Sequence, residues 1–200
     1  SVLTGQGSGK VSLMDEVKPK EIFETPEGDL VIDFGQNMSA LIQVTATGKK
    51  GDVIRLDCFE VLDSKGNVYL DNLRGAKESL QYTFGEDGTI TYRPSFTFMG
   101  FRYAKIVFFP GTPEPGNFIA HAIHTNMERT GFLETSNPDL NQLAHNILWG
   151  LKSNFVDVPT DCPQRDERLG WTGDAEIFCR TACFLENTYS FYRKWLRDVE

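Results

Sequence analysis

Up to about residue 125 the apolar positions alternate with polar ones or form short blocks closed by turn residues; beyond it they recur every three or four positions. Leu30–Phe34 runs into Gly35, and Leu41–Thr47 runs into Gly48. In Val53–Cys58 the side chains of Ile54, Leu56 and Cys58 fall on one face and those of Arg55 and Asp57 on the other. Leu80–Phe84, Arg102–Phe109 and Phe118–Ile123 continue the series, with glycine-containing turns at Ser64–Asn67 and Glu86–Thr89. Short strands with no helical period between them predict an antiparallel β-sandwich over residues 1–125. Phe34, Phe59, Phe84, Phe96, Phe98 and Phe101 are assigned to its core.

Residues 126–200 read differently. Asn137-Pro138-Asp139 supplies a capping side chain, a proline at the first helical position and an acid near the positive end of the helix dipole. Leu140, Leu143, Ala144, Ile147, Leu148 and Leu151 then form one stripe of a helix over 137–154. Pro159 and Pro163 keep the next segment out of helix. Asp174 reads as the cap of a second helix bearing Ala175, Phe178, Ala182 and Leu185, and Tyr189, Tyr192, Trp195 and Val199 mark a third. That third pattern reaches Glu200 with no glycine cap, proline or polar tail, as expected of a piece of a longer protein. Stripes such as Ala175/Phe178/Ala182/Leu185 are then expected to lie uncovered and to favour self-association.

Composition narrows the classes. The formal charge of −8 offers no basic patch for nucleic acid or an anionic membrane. No apolar run approaches the ~20 residues of a membrane span, and SVLTGQGSGKVSL lacks the apolar stretch of a leader. The four cysteines, Cys58, Cys162, Cys179 and Cys183, form no Cys-x-x-Cys pair. They read as small, buried, reduced side chains, which suits a cytoplasmic setting better than a secreted one. His121, His124 and His145 share no metal spacing, the acids at 157, 161 and 166 lack the order of a calcium loop, and no phosphate-cradling glycine loop occurs. No metal and no cofactor is expected. His121 and His124 are read as structural.

The chemistry concentrates in Asp161-Cys162-Pro163-Gln164-Arg165-Asp166-Glu167-Arg168-Leu169-Gly170-Trp171-Thr172-Gly173-Asp174. Taken singly, its residues have plain explanations: a solvated salt-bridge cluster, a helix cap at Asp174, core packing at Trp171. Together they suit a sugar ring, because carboxylates accept from hydroxyls, an indole face packs on the apolar face of the ring, and a carboxylic acid can protonate a glycosidic oxygen. The ordered run closely resembles the signature that opens the catalytic domain of bacterial α-L-rhamnosidases of the inverting kind, glycoside hydrolase family 78. Phe34-Gly35-Gln36-Asn37 and Phe98-Met99-Gly100-Phe101-Arg102-Tyr103 extend the resemblance into the β region.

That resemblance implies a concanavalin-like β-sandwich followed by the first helices of an (α/α)6 barrel of six hairpins, acting on rhamnose-containing glycosides. It implies that Glu167 is the general acid, that Asp161 and Asp174 accept from sugar hydroxyls, and that Trp171 shapes the subsite. Arg165 and Arg168 suit the organising of these carboxylates by bidentate pairing. An inverting hydrolase also needs a general base about 6.5–9.5 Å from the acid. The family's base lies much further along the barrel, so these 200 residues alone are expected to be inactive. The alternatives are a non-catalytic carbohydrate-binding or interdomain module, and an (α/α)6 glycosidase acting on another sugar.

Overall fold

The computed structural model describes residue 5 and residues 7–200. Most of the opening stretch read for a leader lies within them; residues 1–4 and 6 lie outside. An antiparallel sheet is built from β1 (Val11–Val17), β2 (Glu21–Glu24), β3 (Leu30–Gly48), β4 (Val53–Phe59), β5 (Ser79–Thr83), β6 (Gly88–Tyr92), β7 (Met99–Phe108) and β8 (Phe118–Thr125). Its path is β1-β8-β3-β7-β4-β5, with β2 and β6 also paired to β3. Helices α1 (Pro138–Asn154), α2 (Thr172–Leu185) and α3 (Tyr189–Val199) follow, with a short ribbon of β9 (Phe155–Val156) and β10 (Val158–Pro159) after α1. Among the described residues no helix is long and apolar enough to cross a membrane.

The curl of the sheet comes from β3. Sequence alone divides it into two strands ending at Gly35 and Gly48, but it is one strand of 19 residues. Its first part pairs with β2 and β7, and its last part with β8 and β6. The break is a bulge: Asp33 lies opposite Tyr103 and Met38 opposite Phe101, so residues 34–37 face Arg102 alone. Gly35 sits in the bulge at φ 75°, where a side chain would be strained. Asp33 fastens both edges, accepting from the Gly35 amide at 2.6 Å and from two nitrogens of Arg102 at 2.9 and 2.8 Å. Burial pushes the Asp33 carboxyl up, but the guanidinium and the amide outweigh it and hold it below the usual range.

Ile32, Phe34, Met38, Ile42, Phe101 and Phe118 are buried in the main core, and Trp149 of α1 packs against it. A second cluster joins Leu151, Phe155, Ala182, Leu185 and Phe191, with Phe155 and Phe191 stacked at 4.5 Å. The helical end is tied to the sheet by Ser39 Oγ donating to the Ser153 carbonyl at 2.6 Å and the Asp157 amide donating to Thr125 Oγ1 at 3.0 Å.

Several expectations need correcting. Trp171, not Asp174, holds the cap position of α2, because the helix begins at Thr172 and leaves Asp174 inside its first turn. The stripe expected to be bare is largely covered: Ala175, Ala182 and Leu185 are buried, because α1, α2 and α3 pack on one another. The exposed apolar residues include instead Leu140, Leu143, Ile177, Phe184, Tyr189 and Leu196. Phe96 is fully exposed, and Phe98 lies half-buried under the Arg168 guanidinium, so neither joins the core. Cys183, at the end of α2, is exposed rather than buried. β1, β2 and β6 escape the sequence reading because their faces are mostly polar or half-buried.

Gly100, at the start of β7, decides how closely the sheet meets the segment after α1. A Cβ there would stand 2.7 Å from the Pro163 carbonyl carbon and 2.8 Å from the Gln164 nitrogen, both backbone atoms. Gly100→Ala should therefore cost about 1–3 kcal/mol of stability, read as a lowered thermal midpoint. Gly85→Ala, facing open space, should leave the midpoint unchanged; equal midpoints for the two variants would mean that the close approach carries no constraint.

Candidate active site

Between β10 and α2 the chain forms a loop closed on itself. The Asp161 amide donates to the Leu169 carbonyl at 3.2 Å, and the Leu169 amide returns to Asp161 Oδ1 at 3.0 Å. Gly170 lies directly against the buried Trp195 of α3, where a Cβ would stand 2.9 Å from the indole nitrogen. The loop is thus pressed between β7 on one side and α3 on the other. At Gly100 and Gly170 a side chain of any kind would force a neighbour to shift.

A chain of ion pairs runs along it. Arg165 Nη2 lies 3.3 Å from Asp161 Oδ2 and 2.7 Å from Glu167 Oε2. Glu167 Oε2 also accepts from Arg74 Nη1 at 2.8 Å. The Asp161 side chain is 7% exposed and that of Glu167 28%. Burial pushes the Asp161 carboxyl up, but the Leu169 amide and the Cys162 thiol beside it, with Arg165, outweigh burial and hold it below the usual range. Asp161 is an ionised acceptor in a fixed position.

Asp161 and Asp174 line the same cleft of about 500 Å³, floored by Ile147, Phe155, Ala175 and Phe178. Asp161 also borders a second cleft of about 400 Å³ with Asn37, Glu60, Trp149 and Gln164. Trp171 stands 47% exposed at the entrance of α2, its indole available to solvent. Asp161, Arg165 and Glu167 are thus linked by direct contacts, and Asp161 and Asp174 by a shared cavity. Arg168 turns the other way, donating to the Pro163 and Phe98 carbonyls at 3.1 and 3.3 Å. Among the described residues no group of three His, Cys, Asp or Glu side chains could hold a metal ion.

The sheet contributes residues that no local motif announces. Glu60 accepts from the Asn37 and Asn72 amides at 2.8 and 3.1 Å. Glu78 accepts from the Gly100 amide at 3.0 Å and lies 3.5 Å from Arg168 Nη1. Glu78 is 3% exposed at its side chain, and burial pushes its carboxyl up to about 7 although Arg168 pulls the other way. Arg74 holds φ 55° and ψ −113°, a backbone conformation that costs a residue with a side chain about 1–3 kcal/mol. Arg74 and Glu167 are 93 residues apart, so no spacing in the sequence could pair them.

Glu78 has a defined pH signature. Its carboxyl titrates at about 7 when folded and near the ordinary 4.5 when unfolded, so the folded protein holds the extra proton between those values. Stability is therefore lost as pH rises through that window. Glu78→Gln removes the titration, so its thermal midpoint relative to the parent should climb from about pH 5 to about pH 8. A difference that stays constant with pH would mean that Glu78 ionises as easily in the folded protein as in the unfolded one.

Residues 23–124 match the model of the bacterial alpha-L-rhamnosidase concanavalin-like domain, and residues 128–200 that of the bacterial alpha-L-rhamnosidase 6 hairpin glycosidase domain. An alpha-L-rhamnosidase of Streptomyces avermitilis is 41% identical over 98% of this chain, and one of Formosa agariphila is 39% identical over 92%. The chain spans 19% and 20% of their lengths. Among solved structures, the Streptomyces avermitilis enzyme complexed with L-rhamnose superimposes with a TM-score of 0.94 at 41% identity, covering 98% of this chain and 19% of that one. The native enzyme of Aspergillus terreus gives 0.92 at 42%, covering 96% and 22%.

Proposed function

This chain belongs to the bacterial α-L-rhamnosidases, and we propose that the protein containing it releases terminal α-L-rhamnose from rhamnosides with inversion at the anomeric carbon. The observation that carries the reading is Glu167 itself: a partly exposed carboxyl, held by two arginines through one oxygen and joined through Arg165 to Asp161, which lines a cleft with Asp174. The Streptomyces relative, solved with L-rhamnose, supports the choice of sugar.

Glu167 acts as general acid. Both guanidinium groups engage Oε2, which leaves Oε1 to carry the proton given to the glycosidic oxygen as its bond to the anomeric carbon breaks. Asp161, ionised and fixed by the Leu169 amide, and Asp174, in the first turn of α2, accept from the sugar hydroxyls. Arg165 holds Asp161 and Glu167 in register, and Trp171 packs its exposed indole on the apolar face of the ring. Water attacks from the opposite face and gives its proton to a base supplied from outside these 200 residues. Residues 1–125 serve as the β-sandwich unit and 126–200 as the opening of the six-hairpin unit.

In the full-length protein, Glu167→Gln should lower kcat by about 10²–10⁴ on rhamnosides with poor leaving groups. Aryl rhamnosides with activated leaving groups, which need little protonation, should lose far less. Equal losses on both would assign Glu167 to binding and remove it from acid catalysis. The isolated 200-residue chain should turn over neither substrate. Steady turnover abolished by Glu167→Gln would place a base inside it.

A further inference from the structure

We infer that Arg74, supplied by the β-sheet region, is a positioning residue for the carboxyl of Glu167. The inference rests on the reading of Glu167 as general acid. Arg74 follows a one-turn 3-10 segment, Asp71–Leu73, between β4 and β5. That turn is fastened independently of the loop it touches: Leu73 is buried, its amide donates to the Leu70 carbonyl at 3.0 Å, the Ala76 amide donates to the Leu73 carbonyl at 3.0 Å, and Asn72 donates to Glu60. From this base Arg74 Nη1 reaches Glu167 Oε2 at 2.8 Å. The neighbouring residue lies against the same loop, since a Cβ on Gly75 would stand 3.0 Å from Asp166 Oδ2.

The backbone supports a role for the side chain rather than for the turn. At φ 55° and ψ −113° Arg74 occupies the mirror image of an extended conformation, which glycine adopts freely and a residue with a Cβ does not. Glycine would serve the turn better. Arginine pays this strain where its guanidinium meets the carboxyl. With Arg165 on the same oxygen, Arg74 fixes the rotation of the carboxyl group, so that Oε1 faces the leaving oxygen; Arg74 itself touches no substrate.

The test compares Arg74→Gly, Arg74→Lys and Glu167→Gln in the full-length protein. Arg74→Gly relieves the strain and removes the guanidinium, so the thermal midpoint should hold or rise. Its kcat on poor-leaving-group rhamnosides should fall about tenfold or more, a fraction of the loss when the acid itself is removed. Activated aryl rhamnosides should change little, KM and inhibition by rhamnose should stay as in the parent, and Arg74→Lys should recover part of kcat by restoring a cation. Arg74→Gly with parental kcat on both substrates overturns the inference while leaving Glu167 as acid, provided Glu167→Gln shows its leaving-group-dependent loss. A fall in thermal midpoint with equal loss on both substrates shows a structural turn instead, and also overturns it. If Glu167→Gln shows no dependence on leaving group, the reading of the acid fails first and takes this inference with it.

Discussion

Two guanidinium groups meet on one oxygen of Glu167, one from the loop that carries the carboxyl and one from a turn 93 residues earlier. Between exposed groups such contacts fade over a few ångströms and are worth little unless the geometry is held. The site therefore depends on whatever keeps the sheet and the loop in register. Gly100 allows β7 to touch the Pro163–Gln164 backbone, Glu78 reaches from the sheet to the Arg168 guanidinium, and Ser39 and Thr125 bond to the chain at the end of α1. Trp195 closes the other side beneath Gly170. No one of these contacts is strong. Their joint effect is to remove the freedom by which Arg74 and Glu167 could separate.

The carboxylates around this junction show how burial is handled where hydrophobic packing is not available. Asp33 is given a bidentate arginine and an amide, and its carboxyl stays below the usual range. Glu60 receives two side-chain amides and is still pushed up, burial being the larger effect. Glu78 has one backbone amide and an arginine at 3.5 Å shared with two carbonyls, and it is pushed up to about 7. The order follows the quality of pairing, as desolvation requires. Glu78 is thus the weak point of the seam between sheet and loop.

Residues whose meaning is local were legible in the sequence. Asn137 accepts from the Asp139 amide as its capping pattern demanded, and Val53–Cys58 alternates as expected. Positions that answer to distant partners were not legible. Gly35 looked like a strand end because a glycine followed by polar residues reads as a turn, yet Arg102 and Asp33 carry β3 through it as a bulge. Asp174 looked like a cap because Asp is good at that task, but the helix starts earlier at a tryptophan whose own side chain caps nothing. Within the signature, the run of residues located the cluster, but Arg165 joins Asp161 and Glu167 through one nitrogen rather than by the bidentate pairing expected, and Arg168 turns to the Pro163 and Phe98 carbonyls. Glu60, Glu78 and Arg74 lay outside any local pattern, since they meet the loop only after the sheet has curled.

A strained arginine beside a carboxyl, a half-paired glutamate under the loop and an exposed tryptophan at a helix entrance all lower stability in a region otherwise packed with care. Such departures from local preference concentrate where a site demands a geometry that packing alone would not choose. Here they are spread over both the sheet side and the loop. Had the β region only to cover the helices, a glycine at position 74 and an apolar residue at 78 would serve it better. The sheet side therefore forms one wall of the candidate site, through the contacts of Arg74 with Glu167 and of Glu78 with Arg168.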